Sequence, residues 1–370
     1  MKFSISRDEL LKPLSVVVGV VERRQTLPIL ANVLITLNGR DLLICGTDLE
    51  VELRAHLALA DDHSDMEDGQ ITVPARKLTD ICKALPDGSD IQLQLDEQKL
   101  LLKSGRSRFT LATLPAADFP SVEDDKEQNE FELSQGQLKH LIERTGFAMA
   151  QQDVRYYLNG MLLEMRAGAL RFVATDGHRL AMCTLRDLAG VNFERELILP
   201  RKGVMELSRL LLNEDQQIKI AIGRNHFRAE TAEFRMTSKL VDGKFPDYDR
   251  VLPKNGDKVV HGTRSELRQA FSRAAILSNE KYRGVRLTLS NDTLQIVASN
   301  PEQEEAEVSV AVDYQGDELE VGFNVNYLLD VLAVVEDESV KLTLADSNSS
   351  ALVEEANAED SLYVVMPMRL

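Results

Sequence analysis

Val173-Ala174-Thr175-Asp176-Gly177 stands 128 residues after a near copy of itself, Ile44-Cys45-Gly46-Thr47-Asp48, counted from Asp48 to Asp176. A weaker echo, Val297-Ala298-Ser299-Asn300, follows 124 residues later, counted to Asn300. Two further landmarks keep the same step. Asp118-Phe119-Pro120 recurs as Lys244-Phe245-Pro246, and Val73-Pro74-Ala75-Arg76-Lys77 returns as Leu199-Pro200-Arg201-Lys202. The period is about a third of the 370-residue chain, too long for a solenoid repeat and right for one small domain. Three like domains imply pseudo-symmetry and, with it, a closed object. The expected divisions are 1–127, 128–255 and 256–370, falling in the polar stretches Glu123–Glu130 and Pro253–Lys258.

Each third reads as two halves, a helix followed by short strands. Helices are predicted over 7–24, 74–85, 134–150, 199–212, 264–283 and 324–335. Between them, Asp90–Leu95, Gln217–Ile222 and Val340–Leu344 alternate with period two, the mark of half-buried antiparallel strands. Asn38-Gly39, Pro86-Asp87-Gly88 and Asn291-Asp292 supply turns. The fold class that follows is α+β, with two helices per domain packed on antiparallel sheets.

Apolar residues make up 44% of the chain, and mean hydropathy is −0.20, as in a soluble globular protein. No run approaches the ~18 apolar residues of a membrane span, and Met1–Glu9 has no signal-peptide core. Three scattered cysteines, Cys45, Cys82 and Cys183, fit a reducing cytoplasm. The net charge of −17 argues against a protein held to nucleic acid by electrostatics. Its distribution argues otherwise. The six predicted helices hold 17 Lys and Arg against 9 Asp and Glu, so the remainder carries −25. A positive helical face and strongly acidic loops, such as Asp61–Asp68 and Glu123-Asp124-Asp125, are expected.

Several segments carry a family likeness: Thr26–Asn32, Asp153-Val154-Arg155-Tyr156-Tyr157-Leu158-Asn159-Gly160, Ala174–Leu180, Ser238–Tyr248 and the terminal Tyr363–Leu370. Spread over the whole length, they make the chain resemble the bacterial β sliding clamps, processivity subunits of DNA polymerase III. The resemblance implies three clamp domains forming half a ring, two chains closing it head to tail as a homodimer, and duplex DNA threaded through the hole without sequence preference. It also implies a peptide groove between the second and third domains, visited by the polymerase III alpha subunit, the clamp loader, and other polymerases and repair proteins. No cofactor, metal or membrane partner is implied.

Simple geometry fits a pair of chains. Helices packed about 10 Å apart, six to a circle, leave a hole of only about 9 Å after subtracting their radii, whereas twelve leave about 28 Å. Only the second passes B-DNA, whose major groove alone is about 8.5 Å deep. A ring held by topology needs no strong phosphate contact, so an acidic protein with a weakly basic lining can slide. Arg24, Arg76, Arg201 and Lys202 are the expected lining, and the resemblance adds Gln152 and Tyr157.

For ring closure, Arg106, Arg108, Phe109 and Leu111 are expected to meet Ile276, Leu277, Glu302, Glu304 and Glu305, an apolar centre edged by Arg–Glu pairs. The resemblance places the groove at Leu158, Thr175, Gly177, His178, Arg179, Leu180, Pro246, Arg250, Val251, Ser350, Val364, Met366, Pro367, Met368 and Arg369. Val, Met and Pro would supply an adaptable apolar wall, and Arg179, Arg250 and Arg369 would meet carboxylates of partner tails. Thr175-Asp176-Gly177-His178-Arg179 is poor evidence for acid–base chemistry, because neighbours in sequence seldom face each other. No GxSxG, Walker A, HExxH or CxxC pattern is present, and the six histidines show no metal-ligand spacing. The alternative to a clamp is a scaffold that recruits peptide motifs without encircling DNA.

Overall fold

A computed structural model describes residues 1–21, 27–59, 66–122, 129–254 and 256–369. Among these residues one motif, strand–helix–three strands, recurs six times. The first third runs β1 (Lys2–Ser6), α1 (Arg7–Val17), β2 (Asn32–Asn38), β3 (Asp41–Thr47), β4 (Val51–Ala58), then β5 (Gly69–Pro74), α2 (Ala75–Ala84), β6 (Asp90–Asp96), β7 (Lys99–Ser104), β8 (Ser107–Ala112). The second runs β9 (Asn129–Ser134), α3 (Gln135–Thr145), β10 (Gly160–Arg166), β11 (Ala169–Thr175), β12 (Arg179–Leu185), then β13 (Arg195–Pro200), α4 (Arg201–Leu210), β14 (Gln217–Ile222), β15 (His226–Glu230), β16 (Phe234–Lys239). The third runs β17 (Lys258–Thr263), α5 (Arg264–Ala275), β18 (Gly284–Ser290), β19 (Thr293–Ser299), β20 (Glu305–Ala311), then β21 (Leu319–Asn324), α6 (Val325–Val334), β22 (Ser339–Leu344), β23 (Ala351–Glu355), β24 (Ser361–Val365).

All six helices stand where their patterns place them, and each is shorter than expected. α1 ends at Val17 rather than 24 because Val16-Val17-Val18-Gly19 joins β-branched residues to a glycine, all poor helix formers. α5 ends at Ala275 rather than 283. Beyond it Asn279 Oδ1 accepts from the amides of Lys281 and Tyr282 at 2.9 and 3.0 Å, fixing a turn. At the start of α1, Ser6 Oγ caps the Glu9 amide at 3.2 Å. The Asn291-Asp292 turn takes left-handed backbone at both residues (φ 43° and 59°), as a two-residue hairpin requires.

The repeat seen in sequence has a physical cause at its signature. Asp48 Oδ1 accepts from the amides of Glu50 and Val51 at 2.9 and 2.7 Å, and Thr47 Oγ1 from that of Leu49 at 3.0 Å. Asp176 Oδ1 does the same for His178 and Arg179 at 2.9 and 3.0 Å, and Thr175 Oγ1 for Gly177 at 3.1 Å. The turn needs a Thr to cap and a carboxylate to gather two amides. In the third copy Asn300 Oδ1 takes the amide of Glu304 at 2.9 Å. Strand registers repeat too: Asn32 pairs with Pro74, Gly160 with Pro200, and Gly284 with Asn324.

Two compact units result. The first, Met1–Gly136 with Lys202–Leu240, contains a four-stranded sheet, β1-β6-β7-β8, and an eight-stranded sheet, β5-β2-β3-β4-β16-β15-β14-β9. The second, Gln137–Arg201 with Val241–Leu370, contains β20-β19-β18-β21 and β13-β10-β11-β12-β24-β23-β22-β17. Each eight-stranded sheet is two meanders joined edge to edge, by β4–β16 in the first unit and β12–β24 in the second. Alternation buries one side of each strand. Ile91 and Leu93 of β6, for example, are inaccessible while Gln92 and Gln94, which alternate with them, are not.

Candidate functional site

The expected groove residues all belong to the second unit, where an apolar cluster is built around the β12–β24 joint. Leu180 and Val364 face each other across that joint. With Leu158, Leu162, Val173, Met182, Ile198, Phe245 and Tyr248 they form one buried cluster, and Tyr157, Val241, Val251, Leu252, Leu352 and Leu362 pack partly buried against it. Area removed from water is what makes such a cluster adhesive.

The segment over the cluster is held at both ends. The Val241 amide donates to Ile198 O at 2.9 Å. Tyr248 donates its hydroxyl to Glu164 at 2.6 Å and accepts from Arg171 at 3.0 Å. Burial, followed by the Glu164 acceptor, pushes the Tyr248 phenol up to about 12, so it stays a donor. The tail is tied down in turn: the Met366 amide donates to His178 O at 2.9 Å and the Met368 amide to Gly322 O at 2.8 Å. Met366, Pro367 and Met368 are left half-buried, Arg369 is exposed, and Ser350 sits just ahead of β23.

Gly177 has φ +88°, and a Cβ there would lie 3.0 Å from the Arg155 guanidinium. Arg155 is itself fixed by Asp153, whose carboxyl falls to about 2 chiefly through the Arg155 hydrogen bond. The loop bearing His178 thus keeps one shape, with the His178 ring stacked on Tyr327 at 6.4 Å.

One expectation needs correction. Arg179 is not a waiting receptor for a partner's carboxylate. Its guanidinium meets Asp176 at 3.1 Å, Asp330, and the Phe147 carbonyl at 2.9 Å, and lies 4.6 Å from the Tyr327 ring centroid. Its side chain is only 12% exposed. The residue builds the wall. Arg250 differs: its side chain is 85% exposed and ion-paired with Asp247 at 2.8 Å. Arg250 and Arg369 are the two of the three expected cations that stand exposed.

Models of the DNA polymerase III beta subunit match the chain along its length: the N-terminal domain over residues 1–123, the central domain over 132–247, and the C-terminal domain over 249–369. The beta sliding clamp of Pseudomonas aeruginosa is 62% identical over all 370 residues, and that of Escherichia coli K12 is 53% identical, each pair covering both chains completely. Among solved structures, the DNA polymerase III subunit beta of Pseudomonas aeruginosa superposes with a TM-score of 0.97 at 61% identity. A sliding clamp from Bartonella birtlesii, solved bound to griselimycin, gives 0.96 at 38%, both matches covering the full chains. The chain belongs to the DNA polymerase III beta subunit family. Its function is that of a DNA sliding clamp, an accessory rather than a catalytic subunit, working with polymerase and DNA.

For a beta subunit, the described residues place the expected DNA contacts as follows. Arg24 lies outside them. Arg76 is exposed in the first turn of α2 and donates to Val21 O at 2.8 Å. Lys202 holds the matching place on α4, ion-paired with the buried carboxylate of Asp48, so part of its charge is already met. Arg201 donates to Met149 O at 3.3 Å, and burial lowers its pKa. Gln152 is exposed with left-handed backbone, and Tyr157 leans on the groove cluster.

The expected joint residues fall on or beside β8, on the start of β20 and its approach, and at the C-terminal end of α5. Arg106 and Arg108 are exposed, Phe109 half-buried and Leu111 buried on or beside β8. Glu302, Glu304 and Glu305 are exposed at the start of β20, Leu277 is half-buried, and Ile276 is 76% exposed. Sequence reasoning did not single out Leu162, Val173, Met182, Ile198, Phe245 and Tyr248, which share the buried cluster with Leu158, Leu180 and Val364. Alternation in β10–β13 marked the first four as core, whereas Phe245 and Tyr248 lie in the irregular segment after β16, where no periodicity marks them.

Proposed function

We propose that two copies close head to tail into a ring around duplex DNA, with domains 1–127, 128–255 and 256–370. The observation that carries this is the fate of the fourth strand in each of the six repeats. β4 pairs with β16 and β12 with β24, in each case a first-half strand joined to a second-half strand of the next third. That leaves β8 and β20, each the last strand of its four-stranded sheet among the described residues. By the same rule β20 seeks a β8, and a two-fold relating two chains gives each one its partner. An exposed edge invites such pairing. Exposed Ile276 with Phe109 and Leu111 makes an apolar centre, rimmed by Arg106 and Arg108 against Glu302, Glu304 and Glu305.

Inside the ring, Arg24, Arg76, Gln152, Tyr157, Arg201 and Lys202 contact the phosphate backbone weakly enough to permit sliding. The groove takes an extended Leu-rich segment from the polymerase III alpha subunit, the clamp loader, or other polymerases and repair proteins, and the ring works in the cytoplasm. Among the described residues no helix is long and apolar enough to cross a membrane.

Sedimentation tests closure: the expected mass is twice the 41.4 kDa of one chain, falling to one chain on Ile276→Ala with Leu277→Lys. Loaded protein should survive a high-salt wash on circular DNA and run off linear DNA. Equal retention on both, or a wild-type monomer, overturns the ring and leaves the non-encircling scaffold.

A further inference from the structure

Beneath α3 the fold gathers three metal-ligating side chains that the sequence spaces far apart: His140 on α3, Cys183 on β12, and Asp360 just before β24. One ligand atom from each lies within 4.8 Å of the others. The His140 ring nitrogen Nε2 stands 2.8 Å from Asp360 Oδ2, and the Asp360 carbonyl accepts the Thr184 amide at 2.7 Å, tying it to β12. Cys183 is wholly buried.

A second observation points the same way. Asp360 Oδ1, Ser361 Oγ and the Tyr363 hydroxyl are buried and make no hydrogen bond of good geometry among the described residues, Ser361 interacting only weakly with the other two. Ser361 is 5% exposed and lies directly across the strand pair from Cys183, so the two side chains share a face. Tyr363, two residues on, shares it too. Buried polar atoms left unpaired are costly and demand an explanation, and an ion drawing on Asp360 and a bound water drawing on Ser361 would supply one.

We propose that His140, Cys183 and Asp360 form a binding site for a borderline divalent cation of the zinc class. Imidazole, thiolate and carboxylate suit zinc, whereas magnesium and calcium prefer oxygen alone. With bonds of about 2.0–2.3 Å, tetrahedral ligands stand about 3.3–3.8 Å apart, so the present cluster closes on an ion with shifts of an ångström or so. As the ion binds, the Cys183 thiol gives its proton to solvent, the hydrogen shared by His140 Nε2 and Asp360 is likewise released so that His140 ligates as neutral imidazole beside an ionised Asp360, and water fills the fourth position. The ion would stitch α3 to the β12–β24 joint, the sheet whose other end carries Arg179 and the groove. Nothing in the reasoning depends on the ring. Sequence spacing revealed no metal pattern because positions 140, 183 and 360 meet only in the folded chain.

The test uses the full chain, stripped with a chelator and titrated with zinc by calorimetry and with cobalt(II) by absorbance. One ion per chain is expected, with a thiolate-to-cobalt charge-transfer band and a rise in Tm of about 5 °C at zinc well above Kd. Cys183→Ser should abolish the band, and His140→Gln or Asp360→Asn should each weaken binding at least tenfold. Cys45→Ser and Cys82→Ser should change nothing. No saturable binding, or a band that survives Cys183→Ser, overturns the site. Because His140 and Asp360 are partly exposed, their variants keep the test decisive even if Cys183→Ser fails to fold.

Discussion

At the β4–β16 joint the pairs in register are Glu52 with Thr237 and Arg54 with Arg235. At the β12–β24 joint the same places hold Leu180 with Val364 and Met182 with Leu362. The backbone is shared to the level of single hydrogen bonds: the Lys239 amide donates to Glu50 O at 2.8 Å, as the Met366 amide does to His178 O at 2.9 Å. The floors are opposite in kind. Glu52 is 2% exposed, ion-paired with Arg54 at 2.7 Å, and accepts the Val122 amide at 3.3 Å. Leu180, equally buried, packs in the apolar cluster. A small cavity of about 220 Å³ lies at the first joint, edged by Thr47, Leu49, Pro120, Val122, His226 and Lys239. A leucine seated over the first floor would further desolvate an ion pair already short of water, at a cost of several kcal/mol. Over the second it buries apolar area alone. One fold thus yields two joints, and under the proposed function side-chain chemistry favours the second of them for an apolar guest.

The largest effect expected is at the charged floor. Arg54→Ala leaves Glu52 buried and unpaired, so unfolding of the first unit should ease by about 3 kcal/mol, with peptide binding untouched. Glu52→Leu with Arg54→Met should recover most of that loss in the same denaturation series. A negligible cost for Arg54→Ala would erase the contrast. Next comes Met366→Glu, which puts charge on the apolar wall. Peptide affinity by fluorescence anisotropy should fall about a hundredfold, close to 2.7 kcal/mol, with Tm held. Lys239→Glu, at the equivalent place in the other joint, should leave affinity as it was. The smallest pair compares the two turns. Leu49 occupies left-handed backbone (φ +78°) where the other turn has Gly177. Leu49→Gly should stabilise by up to about 1 kcal/mol, whereas Gly177→Leu should cost about 1–2 kcal/mol and displace Arg155. Equal and small effects at both would mean that the turns are not under the same constraint.

Much of this architecture was legible in the residues. Helical and strand periods placed all six helices and strands such as Asp90–Leu95, because they report which side of an element faces away from water, a local property. The Thr-Asp turn repeated because its hydrogen bonds reach only two or three residues along the chain. The helix ends were less readable: Pro13 lies inside α1, and the valine run beyond it suits strand as well as helix. The groove residues came from family resemblance. Periodicity alone would have given Leu180 and Val364 to the core.

What the sequence determined by itself is the sixfold motif and its three-domain period, since each copy carries its own strand, helix and turn signals. Which strand edges meet, whether Arg179 is offered or already engaged, which joint has an apolar floor, and the meeting of His140, Cys183 and Asp360 were decided by tertiary structure alone. These depend on backbone pairing between segments up to about 180 residues apart, and no local pattern encodes a partner so far along the chain.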